Sequence, residues 1–423
     1  MTDAVRLHAQ SLDHQDPLAG VAGQFYQHPG VIYLDGNSLG LLSQQAEAAV
    51  LDTLKDWKDY AIQGWTEGTH PWFHLSREVS ALLAPLIGAS ASSIALGESV
   101  TVNLHQLIAS FFQPPGDRNG ILIDDQAFPT DRYVVESQLR LRGLEVAEHL
   151  KVFVSDDETI NEERLINALA DPCLALAVLP SVLYRSGQLL NMKRITRAAR
   201  QAGVTILWDC SHSVGVVPHQ FDQDGIELAV GCTYKYLNGG PGAVAFLYVH
   251  PDKLGQSPGL AGWFGCDPTR QFAMEGVFHP APDAGRFLLG TPHVLSLAPL
   301  LGALQMIQEA GMQAIREKSL KLTAYLRELA QAWLSHHGVT IVTPMEDTLR
   351  GGHLTLRHPH AAQLSIALRQ MGVVPDFRLP DLLRLAPAPL YTSFSECARA
   401  VEILEELLRA GSYLESSADG LVT

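Results

Sequence analysis

Between about residues 90 and 250 the chain alternates short, wholly apolar runs with longer segments in which apolar positions recur every three or four residues. The runs are SIALG (93–97), GILID (120–124), LALAVLP (174–180), VTILWD (204–209), IELAVGC (226–232) and AVAFLYV (243–249), each of strand length and rich in β-formers. The segments between them, 102–112, 131–142, 160–169 and 192–201, carry helical spacing. A strand without a polar face must be buried on both sides, so this alternation predicts an α/β architecture: a mainly parallel sheet with helices over both faces. Ligands of such sheets bind beyond the carboxyl ends of the strands. A long helical stretch over about 295–336 comes next, followed by GVTIVTP, a strand candidate at 351–357 that opens on Gly-Gly-His, a helix at 360–371 and a last helix at 394–410. That is the pattern of a smaller α+β unit. The expected organisation is an N-terminal segment over 1–45 associated with the small domain, a large domain over 46–300 and a small C-terminal domain over 301–423.

Polar chemistry collects at the predicted strand ends. In TYKYLNGGPGA (233–243), Lys235 stands between two tyrosines, after an apolar run and before a glycine-rich loop. Desolvation there would lower its pKa and make it a nucleophile or a general base. On these residues alone, a lysine snorkelling over a turn fits equally well. VTILWDCSH ends its strand on Asp209, with His212 three residues on. An acid in that place either caps the next segment or holds a ring nitrogen protonated, and His212 is placed to orient or stack on such a ring. In ALGESVTV, Val100 and Thr101 open an amphipathic helix just past a strand, a natural anion site that also reads as an ordinary Ser/Thr cap. DDQAFPTDRY sets Phe128 and Asp131 at the end of the GILID run.

Composition narrows the classes of function. With 423 residues, 47% hydrophobic and 18% charged, the chain describes an ordinary globular protein large enough for two domains. A formal charge of −15 without any basic run disfavours a nucleic-acid partner. The first twenty residues carry polar and charged side chains throughout and lack an apolar core, and no apolar stretch approaches the ~18 residues of a membrane span, so the expectation is a cytoplasmic protein. The five cysteines, at 173, 210, 232, 266 and 397, are odd in number and scattered, which disfavours a disulfide framework or a structural zinc site. No metal is expected at the site.

Taken together, TYKYLNGGPG, FPTD (128–131), D-x-x-H (209–212), LDGNSLGL (34–41), GWFG (262–265) and RLAPAPLY (384–391) resemble the kynureninases, in the family's order and over nearly the whole chain. The resemblance implies a pyridoxal-phosphate (PLP)-dependent transferase-like fold of type I, related to the class V aminotransferases. Its large domain would hold a mainly parallel seven-stranded sheet, and its small domain would be α+β. It implies PLP as cofactor, with Lys235 forming the Schiff base, Asp209 at the pyridine nitrogen, His212 and Phe128 holding the ring, and Asp131 near its O3′ edge. The phosphate would be held by Val100, Thr101 and Tyr234, and by Trp263 and Thr291 of a second subunit, with Ser181 as a further contact. Substrate binding would fall to Arg384 at the α-carboxylate, with Arg378 as the next candidate, to Asn37 and Ser38 closing the site, and to Trp65 over the aromatic end. The implied activity is hydrolysis of L-kynurenine to anthranilate and L-alanine, within tryptophan catabolism and NAD biosynthesis. Lys235 would shuttle the proton and Tyr234 would serve as acid. Trp65 and Thr291 stand where relatives suited to 3-hydroxykynurenine carry a histidine and an asparagine, which implies that the hydroxylated compound is the poorer substrate. A homodimer with sites at the subunit interface is expected, with a small-molecule substrate and neither nucleic acid nor membrane as partner. The alternatives are a cysteine desulfurase or selenocysteine lyase of the same superfamily, for which Cys266 is the conceivable nucleophile, and a non-catalytic PLP-fold regulator.

Overall fold

The computed structural model describes residues 3–113, 116 and 118–415, so the extreme ends of the expected N-terminal segment and small domain lie outside the described residues. Its large sheet comprises β1 (Ile94–Leu96), β2 (Gly120–Asp124), β3 (Leu150–Phe153), β4 (Leu174–Pro180), β5 (Thr205–Asp209), β6 (Leu228–Gly231) and β7 (Phe246–Val249). Their spatial order is β1-β7-β6-β5-β4-β2-β3, seven strands with β7 alone running against its neighbours. Every apolar run singled out in the sequence is a strand. β3 went unseen because its middle residues, Lys151 and Val152, face partly outward on an edge and break the apolar run.

The apolar character of both faces follows from strand periodicity. On β4 and β5, Ala177, Leu179, Ile206 and Trp208 enter one core, while Leu176, Val178 and Leu207 enter the other. The second core is closed by helices α4 (Val100–Phe111) and α5 (Pro129–Leu141) through Leu104, Leu107, Val134 and Leu139. In the first core stand α3 (Trp72–Ile87), α6 (Glu162–Leu169), α7 (Met192–Gln201) and α8 (Val294–Ala310). Helix α2 (Gln44–Tyr60), capped by the Ser43 hydroxyl, lies along α8.

The single helix expected over 295–336 is two, because Gly311 takes φ +79 between α8 and α9 (Met312–Trp333). The expected boundary at residue 300 therefore falls inside α8, which packs whole on the large core. The passage to the second core runs along α9, between Ile315 and Leu322. There β8 (Thr340–Ile341), β9 (Leu354–Arg357), β10 (Asp376–Arg378) and β11 (Leu382–Leu385) form an antiparallel sheet in the order β10-β11-β9-β8, beside α10 (Ala361–Gln370) and α11 (Phe394–Ala410). The N-terminal helix α1 (Asp3–His14) packs on α11, and Ile32–Tyr33 pairs in parallel with Val373–Val374. Among the described residues no helix is long and apolar enough to cross a membrane.

Candidate active site

At the carboxyl edge of the large sheet, the ends of β1, β2, β4, β5 and β6 surround one cavity. Its walls include Val100, Thr101, Phe128, Asp131, Asp209, His212, Tyr234 and Lys235. Lys235 follows β6 and is half-buried, and desolvation of its amine lowers its pKa from the ordinary lysine value. Its Nζ lies 2.7 Å from Nε2 of His212. Burial first, and the lysine charge second, push that imidazole well below its usual value, so it is neutral. The Tyr234 hydroxyl is raised by burial and stays protonated. Asp131 opens α5 in full burial, and burial followed by the charge of Asp209 raises it well above the carboxylate range. Asp209, the last residue of β5, accepts the Ser211 amide on Oδ1 at 2.8 Å. Val100 and Thr101 form the first turn of α4, where backbone N–H groups have no acceptor within the helix.

Two other parts of the chain close on this edge. The turn at Gly40 packs against the lysine loop: its N–H donates to the Tyr234 carbonyl at 2.8 Å, and a Cβ there would stand 2.5 Å from the Lys235 carbonyl. Only glycine permits that approach. Just before it, the Asn37 side chain is fully enclosed without a hydrogen-bond partner, and the Ser38 hydroxyl is enclosed beside the Asp35 carboxylate. From β11, Arg384 is fully buried. It donates to the Tyr184 carbonyl, stands over the Tyr184 ring at 5.9 Å and pairs with Asp376, its register partner on β10. Burial pushes its guanidinium down to about 10. Arg378 lies 3.3 Å from the same Asp376 carboxylate.

The kynureninase C-terminal domain family matches residues 315–404. A kynureninase of Geobacillus thermodenitrificans is 48% identical over 97% of this chain and 96% of its own length, and one of Bacillus cereus is 47% identical over 96% and 95%. The chain belongs to the kynureninase family. Solved structures similar to it include a C-DES variant with glycine covalently linked to its PLP cofactor, at TM-score 0.78 and 19% identity, covering 90% of this chain and 98% of that one. A cysteine desulfurase of Thermococcus onnurineus aligns at TM-score 0.76 and 16% identity, over 95% and 98%. At such identity these two share the fold alone, that of the PLP-dependent type I enzymes.

Not every residue expected from the kynureninase resemblance meets at this cavity within one chain. Ser181 lies behind its wall, where its hydroxyl donates to Ser213 at 2.7 Å and contacts the Asp209 carbonyl, so it supports the end of β5 and does not line the site. Trp65 sits apart, edge-on to Trp72 at 5.8 Å and beside Phe264 at 6.0 Å. Trp263 joins that aromatic cluster with 45% of its surface exposed, and Thr291 is exposed as well. Cys266 is in the same region and outside the lysine cavity, while Cys232, which does line the cavity, has its thiol raised by burial. Sequence reasoning missed Tyr184, which bridges Phe128, His212 and Arg384. Its place just past the end of β4 was the available signal. Asp124, which ends β2, was also missed: burial raises it to about 7, and its Oδ2 has no partner.

Proposed function

We propose that this kynureninase-family chain hydrolyses L-kynurenine to anthranilate and L-alanine, with PLP as cofactor. The observation that carries the reading is the meeting, in one cavity, of a buried amine at Lys235, a carboxylate at Asp209 and the N-terminus of α4. The residues present fit the cofactor: Nδ1 of His212 and Oδ1 of Asp131 are buried without partners, as polar atoms awaiting a polar ligand are. Lys235 would tether it, Asp209 would pair with its ring nitrogen, His212 and Phe128 would flank the ring, and Asp131 would lie at its hydroxyl edge. Val100, Thr101 and Tyr234 would take the phosphate. When bound, PLP supplies an electron sink for the pair left at Cα and so permits Cβ to depart from the carbonyl carbon.

The remaining work belongs to side chains of this protein. Arg384 would bind the α-carboxylate as a planar fork by exchanging its contacts with Asp376 and the Tyr184 carbonyl for the substrate. Lys235, driven toward its neutral form, takes the Cα proton and later returns one. Water adds to the γ-carbonyl carbon, the Cβ–Cγ bond breaks with its electron pair going to Cβ, and Cγ leaves as the aryl carboxylate. Tyr234 is held protonated by burial, so it is a proton donor for the γ-oxygen and for Cβ. Asn37 offers the substrate an unpaired side-chain amide from the N-terminal turn, with Ser38 beside it. We further assign Trp263 and Thr291 to the phosphate of a partner subunit and Trp65 to the aryl ring, in a homodimer. The exposure of Trp263 and Thr291, and the place of all three apart from the lysine cavity, support this assignment. The cysteines are free, which agrees with a cytoplasmic enzyme of tryptophan catabolism.

A desulfurase reading is disfavoured because Cys266 is outside the lysine cavity and the Cys232 thiol is buried and raised. The test is incubation of the PLP-loaded enzyme with L-kynurenine while anthranilate fluorescence is followed. Anthranilate should accumulate with an equal yield of alanine. Its absence from a protein that shows a borohydride-sensitive cofactor band would refute the reading.

A further inference from the structure

Among the described residues, one set of three His, Cys, Asp or Glu side chains converges closely enough to hold a metal ion, and it lies far from the lysine cavity in the chain. Helix α9 runs out into a turn, Ser335–His337, whose two histidine rings stand 4.1 Å apart between centroids. Both turn toward α11, where Glu405 presents Oε1 at 3.8 Å from Nε2 of His337. One ligand atom from each of His336, His337 and Glu405 lies within 4.8 Å of the other two. Nε2 of His337 is enclosed by protein and has no hydrogen-bond partner. Such an atom costs about 1–3 kcal/mol if nothing binds it.

We propose that His336, His337 and Glu405 bind one first-row divalent cation of the Zn2+ type, with water as its fourth ligand. Two imidazoles and a carboxylate with an open position form a common zinc donor set, and imidazole nitrogen suits Zn2+, Ni2+ and Cu2+ better than Mg2+ or Ca2+. Tetrahedral coordination at about 2.0–2.1 Å places ligand atoms roughly 3.3 Å apart. Closing the observed separations to that distance calls for rotation of Glu405 and of the exposed His336 about their side-chain bonds. Arg409, whose Nη1 is 3.7 Å from Oε1 of Glu405, is the competitor the ion must displace. Because the ligands come from the end of α9 and from α11, the ion clips together two helices of the second core. It therefore binds the folded chain in preference to the unfolded one. The site does not depend on the proposed reaction.

The experiment titrates ZnCl2 into chelator-treated, PLP-loaded enzyme by calorimetry, with a thermal melt at each point. One Zn2+ per chain should bind at this site and raise Tm, whereas MgCl2 leaves Tm unchanged. His337→Ala and Glu405→Gln should each weaken that binding by about tenfold or more and abolish the Tm rise, with turnover unaffected. Glu405→Gln is nearly isosteric and guards against a folding defect in the histidine variant. Absence of zinc binding in the wild type, or wild-type affinity in both variants, would overturn the proposal.

Discussion

Burial acts with opposite sign on neighbouring groups around Lys235. It drives the lysine and His212 toward neutrality, and it keeps Tyr234 and Asp131 protonated. A site so prepared biases the amine toward its neutral form next to a proton donor, which is what proton abstraction followed by protonation requires. Lys235→Ala should lose turnover while its circular dichroism stays that of the wild type. Retention of more than a small fraction of activity would remove the lysine from the chemistry. Arg384→Ala should raise KM by the equivalent of ~2–5 kcal/mol, and Arg384→Lys should rescue poorly because the planar fork is lost. An unchanged KM would move the carboxylate to Arg378. Asp124 carries a prediction about stability. Its folded-state value of about 7 exceeds the ordinary 3.8, so the folded chain keeps a proton that the unfolded chain has released between those values. That contribution is fully present below about pH 4 and is lost as pH rises through 7. Asp124→Asn keeps the acceptor for the Gln126 amide and should match the wild type at pH 4. At pH 8 it should exceed it by up to ~4 kcal/mol in urea unfolding.

Elements hold together here largely through their ends. Asp13, near the end of α1, accepts the amides of Phe394 and Ser395 at 2.6 and 3.1 Å, and Ser393 with Glu396 completes a capping box on α11. Asp16 reaches Lys318 of α9 at 2.6 Å, with 4% of either side chain exposed. The N-terminal helix is thereby tied to two helices of the second core by charges as well as by the apolar stripe of Val5, Ala9 and Leu12. Lys318→Met should destabilise by ~3–5 kcal/mol, because it strands a buried carboxylate. Adding Asp16→Leu should restore most of the loss, and a double-mutant cycle by chemical denaturation reads the difference. If the single variant were as stable as the wild type, the pair would be ornamental.

For the whole molecule, the question is how the aromatic cluster around Trp65 and Trp263 reaches a lysine cavity from which it is separate within one chain. A homodimer answers it if each copy lends those residues to the other, as closed two-fold assemblies do. Mixing Lys235→Ala protein with Trp263→Ala protein under exchange conditions should then regenerate activity, to roughly a quarter of wild type, through heterodimers with one intact site. No recovery would place Trp263 and Lys235 in the same subunit's site. A place for Trp65 and Thr291 beside the aryl ring, as the kynureninase resemblance implies, carries a second expectation. An indole and a single threonine hydroxyl stand where an imidazole and an amide would pair a 3-hydroxyl, and leaving that group unpaired costs ~1–3 kcal/mol, so kcat/KM should favour L-kynurenine by about one to two orders of magnitude. Equal values for the two substrates would show that these residues do not read the ring.

The strands of the large sheet and the residues at their ends were legible in the sequence because a wholly apolar run has only one stable environment, the interior of a covered sheet. Lys235, Asp209, His212, Val100 and Asp131 follow from that, since each lies at or just past a strand end. The edge strand Leu150–Phe153 was hidden by its half-exposed middle, and the break at Gly311 by helical periodicity continuing on both sides of it. Other features exist only between segments remote in sequence. The approach of Gly40 to the Lys235 carbonyl, the pairing of Arg384 with Asp376 across β11 and β10, and the stacking of Arg384 over Tyr184 are of this kind. Local pattern records what a residue's own element buries, and carries no trace of which distant element arrives to face it. The tertiary structure therefore decided which polar groups share the cavity, which are stranded without partners, and which, like Trp65 and Trp263, stand apart from it in one chain.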